Sequence, residues 1–98
     1  MKILKEPSEF VWDKGNLNKN LLKHQVEDKE AEEVFFDENK KTFKDHLHSN
    51  DEERFRIIGK TKSGRCLFVV FTYRKEKIRI ISARDVNKKE VKLYEETT

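Results

Sequence analysis

The sequence predicts an α+β domain with helices packed on an antiparallel sheet, and three observations carry that prediction. Three short segments rich in β-branched and aromatic residues follow one another: RFRIIGK (54–60), CLFVVFTY (66–73) and KIRIISAR (77–84). Turn chemistry separates them, Lys62-Ser63-Gly64 and then Lys75-Glu76, so they read as a three-stranded meander. Helical periodicity and capping patterns frame the meander on both sides. The middle segment is nearly continuously apolar, as expected of a central strand covered on both faces. Its neighbours interleave arginine with isoleucine: Arg54, Arg56, Ile57, Ile58 on one side and Arg79, Ile80, Ile81, Arg84 on the other. Alternate residues of a strand face opposite sides, so such a sheet buries aliphatic groups while presenting guanidinium groups.

The elements follow in order. Residues 1–9 read as a loose leader, with Pro7 interrupting any strand. Phe10-Val11-Trp12 predict a short edge strand. Asp13 is placed to cap a helix, with Trp12 and Leu17 as its hydrophobic staple. That helix is expected to reach about His24, packing Leu17, Leu21 and Leu22 on the sheet. A second helix is expected over roughly 28–36, with Ala31, Val34 and Phe35 inward and Glu27 or Asp28 as its cap. Residues 37–51 read as a polar loop anchored by Phe43 and Leu47. After the meander, Asn87 and Glu90 form a capping box, and Val86 with Val91 a second staple. The last helix should run from about Lys88 to Glu95, with Val91, Leu93 and Tyr94 near its inner side.

A chain of 98 residues with no linker or repeat predicts one domain, 1–98. It is 42% charged and 35% apolar, more polar than most domains, yet its seven Phe and one Trp set it apart from disordered chains. No apolar run approaches the roughly 20 residues of a membrane span, and no signal segment opens the chain. Cytoplasmic localisation and no membrane contact are expected. The single Cys66 excludes an internal disulfide. Asp45-His46-Leu47-His48 is a weak chelating pattern without a further ligand pair, so no metal or cofactor is expected. P-loop, GxSxG and Cys/His signatures are missing. The charge is asymmetric. Residues 1–53 hold nine Lys/Arg against fourteen Asp/Glu, a net −5, whereas residues 54–98 hold thirteen against five, a net +8. A basic half concentrated on a sheet suits a polyanion, the plainer alternative being a solvated charged surface.

The candidate site residues come from that half and from the first helix. Arg54, Arg74, Arg79 and Arg84 lie within strands or at their ends, where a rigid frame aims them, and forked guanidinium donors match phosphate. The structural alternative is ordinary pairing with Glu52, Glu53 or Glu90. His24 closes the first helix beside Lys23, where a cation suits the helix dipole and an imidazole also suits proton transfer. Tyr73 and Tyr94 are candidates for stacking on bases or for the edge of the core.

These residues fall into an ordered series of short motifs. They are F-x-W-D (Phe10, Trp12, Asp13), N-x-x-K-H-x-V (Asn20, Lys23, His24, Val26) and E-A-x-x-V-F (Glu30, Ala31, Val34, Phe35). Then come E-R…I-G (Glu53, Arg54, Ile58, Gly59), G-R-x-L-x-V-V-x-T-x-R (Gly64 to Arg74), I-R-I-I-S-A-R (Ile78 to Arg84) and K-K-E…Y-E (Lys88, Lys89, Glu90, Tyr94, Glu95). The series resembles the BrnT family, toxins of type II toxin–antitoxin systems, over nearly the whole chain. The resemblance implies a RelE-like fold and a ribonuclease that arrests translation. It also implies neutralisation by a cognate ribbon-helix-helix antitoxin, with operator DNA bound only through that antitoxin, in a dimer or heterotetramer. The sequence departs from the family pattern where a glycine often follows the K-H pair, because Gln25 stands there.

Residue chemistry then distributes the roles for RNA cleavage. Arg54, Arg79 and Arg84 bind the phosphate and stabilise the pentacoordinate transition state, while Glu53 or His24 transfers the proton. Lys23, Arg74 and Tyr94 hold or orient the substrate. The ribose 2′-OH is an internal nucleophile, so no metal is required and positioning carries the chemistry. The alternative is a non-catalytic nucleic-acid-binding or antitoxin-scaffold module, a degenerate toxin.

Overall fold

The alternating segments form the expected meander, and a fourth strand joins it. The computed structural model of the chain describes residues 9–45 and 52–96. Strands β1 (Lys41–Asp45), β2 (Arg54–Lys60), β3 (Cys66–Arg74) and β4 (Lys77–Asp85) pair antiparallel in that order. Lys75 and Glu76 both adopt positive φ, 50° and 67°, so a type I′ turn matches the twist of β3 and β4. β1 corrects the polar loop expected over 37–51. Its KTFKD sequence carries little apolar signal, but as an edge strand it needs only the ladder from Lys41 opposite Ile58 to Asp45 opposite Arg54. Residues 1–8 of the leader, Leu47 and the two histidines of the chelating pattern lie outside the described residues.

Alternation sorts the sheet into two faces. Phe55, Ile57, Leu67, Val69, Phe71, Ile78, Ile80 and Ala83 point to one side, where α2 (Asp28–Glu33) and the 3₁₀ turn Val34–Phe36 cover them. Phe35 packs edge-on against Phe71, ring centroids 4.9 Å apart. Ala31, Val34 and Phe35 are buried as expected. Gly59 permits this closeness, since a Cβ there would lie 2.9 Å from the Val34 carbonyl oxygen. β3 is buried on this face alone. Its Phe68 and Val70 are only half covered on the other, contrary to the expectation of a strand enclosed on both sides.

The N-terminal region differs most from expectation. Phe10 makes one isolated parallel bridge to Ile78 instead of a strand over 10–12. Asp13 accepts from the Gly15 amide at 2.7 Å, which organises a turn, and α1 begins only at Lys19 and ends at His24. Asn18, in a left-handed conformation at φ 57°, separates turn from helix. The helix meets β4 through polar side chains. Asn16 Nδ2 donates to the Val11 and Ile80 carbonyls, both at 2.9 Å, and Asn20 Oδ1 accepts from the Ala83 amide at 3.0 Å. These asparagines satisfy backbone groups of an edge strand that would otherwise stay open. The leucines expected to pack on the sheet point away: Leu17, Leu21 and Leu22 are 50%, 42% and 85% exposed. Neither the Trp12–Leu17 staple nor the leucine stripe forms; Trp12 instead donates to Glu32 at 2.6 Å. Gln25 takes the left-handed position that ends α1, at φ 57° and ψ 36°.

The last helix, α3 (Lys88–Glu95), starts with the expected capping box. Asn87 Oδ1 accepts from the Glu90 amide, and Glu90 Oε1 from the Asn87 amide, both at 2.9 Å. Its inward residues are Glu90 and Tyr94, whereas Val91 and Leu93 are 38% and 41% exposed. At the start of α2, Glu30 accepts from the Glu27 amide at 3.0 Å and Glu27 is the N-cap of a capping box.

Candidate functional site

The face of the sheet opposite the apolar core carries the arginines. Arg56 lies opposite Val70, which in turn faces Ser82 on β4; Arg84 lies opposite Phe68, and Arg79 opposite Thr72. Arg54, two residues before Arg56, shares that face. A register shift between Val70 and Phe71 leaves Ile81 as an extra residue of β4, which brings Ile81 and Ser82 together at the surface. The result is an open depression of about 280 Å³ lined by Asp45, Arg54, Arg56, Phe68, Val70, Ile81 and Ser82. Its floor is apolar and its rim is mainly cationic.

Each guanidinium is held differently. Arg84 donates two parallel bonds to the Glu90 carboxylate, both at 2.8 Å, and one to the Asp85 carbonyl at 3.0 Å. Its guanidinium carbon stands 4.4 Å from the centroid of Phe68, within cation–π range. Burial pushes the Glu90 carboxyl up, but the Arg84 pair, the Asn87 amide and nearby Arg56 outweigh it, so its pKa falls below the ordinary value. Arg56 lies 6.0 Å from the Phe43 ring centroid. Arg79 pairs with Asp13 at 3.1 Å and is mostly buried, its guanidinium resting against Gly15, where a side chain would collide with it. The Asp13 carboxyl is held low by the Gly15 amide and then by Arg79. Among the described residues, the Nε atoms of Arg56 and Arg79 are buried without a hydrogen-bond partner.

The structure thus brings Arg54 to the depression, with Arg84 beside it over Phe68 and Arg79 further along the same face. The other candidates lie elsewhere. Glu53 is exposed and pairs with Lys44 at 2.7 Å; alternation turns both toward the opposite side of the sheet. His24 and Lys23 are exposed at the end of α1, outside β4. There Arg65 joins the helix terminus to the sheet by donating to the Gln25 carbonyl (2.9 Å) and pairing with Asp85 (2.7 Å) and Glu30 (3.2 Å). Arg74 ends β3 beside Glu52, at 3.5 Å. Tyr94 donates to Asp37 at 2.6 Å and lies under Lys60, 5.5 Å from its ring centroid. Burial, followed by the Asp37 bond, pushes its phenol well up, so it stays protonated.

Besides Arg54, the charged residues of the lining are Arg56 and Asp45, neither of them among the candidates from sequence. Arg56 shares the i, i+2 spacing with Arg54, a signal that could have found it. Asp45, 5% exposed and opposite Arg54 in register, sits in a segment that reads as loop and was weighed only as part of the weak chelating pattern. Among the described residues no cluster of three or more His, Cys, Asp or Glu is arranged to hold a metal ion, and no helix is long and apolar enough to cross a membrane.

An antiparallel sheet with one face covered by α2 and the 3₁₀ turn, and the other covered by α3 at one end and elsewhere open, arginine-rimmed and apolar at its floor, defines a small α+β protein suited to a polyanion with stackable groups. Residues 12–90 match the family described as ribonuclease toxin, BrnT, of type II toxin-antitoxin system, and the chain belongs to that family. A comparison with curated proteins gave no match.

Proposed function

We propose that this protein is the toxin of a type II pair and cleaves RNA without a metal on the open face of its sheet. The fold is read as RelE-like, formed by one domain over 1–98, and the protein acts in the cytoplasm, where a ribbon-helix-helix antitoxin neutralises it and carries the pair to operator DNA. The observation that carries the reading is the cationic rim over an apolar floor. A phosphodiester sits against Arg54, Arg56 and Arg84 while an adjacent base rests on Phe68 and Val70. Base–aromatic stacking contributes roughly 1–3 kcal/mol per base in single-strand binders.

In the reaction the ribose 2′-oxygen attacks phosphorus and the bond to the 5′-oxygen breaks. The products are a 2′,3′-cyclic phosphate and a free 5′-hydroxyl. The 2′-OH proton passes to a base, for which Glu53 and His24 are the candidates from sequence and Asp45 the carboxylate at the depression. The leaving oxygen takes a proton from a general acid or from water. Guanidinium groups stabilise the charge that gathers on the equatorial oxygens. Arg79 extends the cationic track, and Lys23, Arg74 and Tyr94 are flanking contacts for a longer strand.

The non-catalytic reading draws support from one observation: Glu53 and His24 do not line the depression. Single-turnover cleavage of a labelled RNA by wild type, Arg56→Ala and Arg79→Ala, with binding measured separately, decides between the two. A catalytic role predicts a rate loss of about 100- to 1,000-fold with near-normal binding. A purely binding role predicts weaker affinity and a shallower salt dependence, with no cleavage by wild type.

A further inference from the structure

We propose that the leucine ridge of α1 is the docking surface for the antitoxin, which binds it through an acidic segment carrying apolar side chains; the inference rests on the toxin reading above. Leu21 and Leu22 adjoin on α1, Leu17 stands in the turn just before it, and all three are exposed, at 42%, 85% and 50%. They do not hold the helix in place. Asn16 and Asn20 do that, through their bonds to the Ile80 carbonyl and the Ala83 amide of β4. Three large aliphatic side chains exposed within six residues, Leu22 almost wholly so, mark an interaction surface.

The charge around the ridge selects the occupant. Residues 14–26 contain Lys14, Lys19 and Lys23 and not one of the chain's 19 Asp and Glu. Asp28, which reaches this stretch from α2, is bonded to the Asn18 amide at 3.0 Å. A second copy of the chain fits poorly, because an isologous contact would set the three lysines against their own images. RNA would use the lysines but leave the leucines in water. An acidic segment with leucine-like anchors satisfies both features, and a family defined by a protein partner supplies such a ligand. The ridge lies outside β4, apart from the residues that line the depression.

The test uses the full chain and the antitoxin encoded beside it. Affinity is measured by titration calorimetry for wild type, Leu21→Ser/Leu22→Glu, Leu22→Ala and Arg56→Ala, with melting followed by circular dichroism. The double variant should raise Kd about 100-fold, and Leu22→Ala alone about 5- to 10-fold, as for an interface anchor. RNA cleavage by Leu22→Ala should stay within about threefold of wild type, because no ridge residue touches the depression. If the double variant fails to fold, Leu22→Ala decides alone. Unchanged affinity in the leucine variants overturns the proposal, as does loss confined to Arg56→Ala. A wild-type dimer in light scattering that the leucine variants disperse also overturns it, assigning the ridge to a second copy. Wild type that fails to bind the antitoxin removes the docking claim and leaves the ribonuclease reading standing. Leucine-dependent binding by a protein that leaves RNA intact does the reverse.

Discussion

Replacing Glu90 by alanine removes two structural devices at once. The carboxylate closes the capping box of α3 through the Asn87 amide at 2.9 Å and receives both Arg84 bonds at 2.8 Å. Loss of the helix-start bonds costs about 0.5–1 kcal/mol. The ion pair is intermediate, with side chains 38% and 11% exposed. Exposed pairs contribute about 0.2–1 kcal/mol and breaking buried ones costs about 3–5, so about 1–2 kcal/mol is appropriate after solvent screening. The expected loss is therefore about 1.5–3 kcal/mol, a large part of a small domain's stability. Urea unfolding at pH 7 followed by circular dichroism measures it. Glu90→Gln should lose less, because an amide oxygen still accepts from Asn87. The folded-state pKa of Glu90 lies below its ordinary 4.5, so its contribution is present above that value and lost as pH falls through the lowered one. The gap between wild type and Glu90→Gln should close in the same direction. A loss under about 0.5 kcal/mol at pH 7, or a gap that persists in acid, would refute the reasoning.

Other perturbations probe the backbone and the acid response. Gly59→Ala should destabilise by about 1–3 kcal/mol, since its Cβ would meet Val34 at 2.9 Å and 3.1 Å; an unchanged urea midpoint would contradict that. Gln25→Gly should stabilise by up to about 1 kcal/mol, because the left-handed site at φ 57° costs a side chain more than glycine's extra chain entropy; calorimetric melting reports the sign. Asp37 and Asp85 also titrate below their ordinary value of 3.8, against burial for Asp37 and chiefly through the Arg65 bond for Asp85. Unfolding at pH 3 should therefore need clearly less urea than at pH 6, and equal midpoints would exclude these contributions.

The meander was legible because its signals are local. Residues 66–73 form an almost unbroken apolar run, Ile78 and Ile80 alternate with Lys77 and Arg79, and the Lys75-Glu76 break has hairpin length. The Asn87–Glu90 box marked α3 for the same reason. β1 was illegible because its partner, β2, supplies the apolar side chains and KTFKD supplies mainly ladder bonds. The first helix misled because hydrophobic periodicity assumes that leucines face inward. Here Asn16 and Asn20 face inward, since the contact is with the polar backbone of an edge strand. Strand alternation placed Arg54, Arg79 and Arg84 on one face, but the depression itself was not legible: it depends on strand register and on the Val70–Phe71 irregularity, neither of which residue types reveal. Arg84 was read as a phosphate ligand and proves also to be bonded to Glu90, so its donors are shared before any RNA arrives.

The central claim is that an arginine-rimmed sheet face cleaves RNA using the substrate's own 2′-oxygen. The most direct measurement is the end chemistry of a defined RNA cut by the purified protein in EDTA, beside the same RNA carrying a 2′-deoxy sugar at the cut site. The account predicts a 2′,3′-cyclic phosphate and a 5′-hydroxyl end. It also predicts no cleavage at the 2′-deoxy site, and the same products formed about 100- to 1,000-fold more slowly by Arg56→Ala. Cleavage that requires added magnesium, leaves a 5′-phosphate or proceeds at the 2′-deoxy position would contradict it.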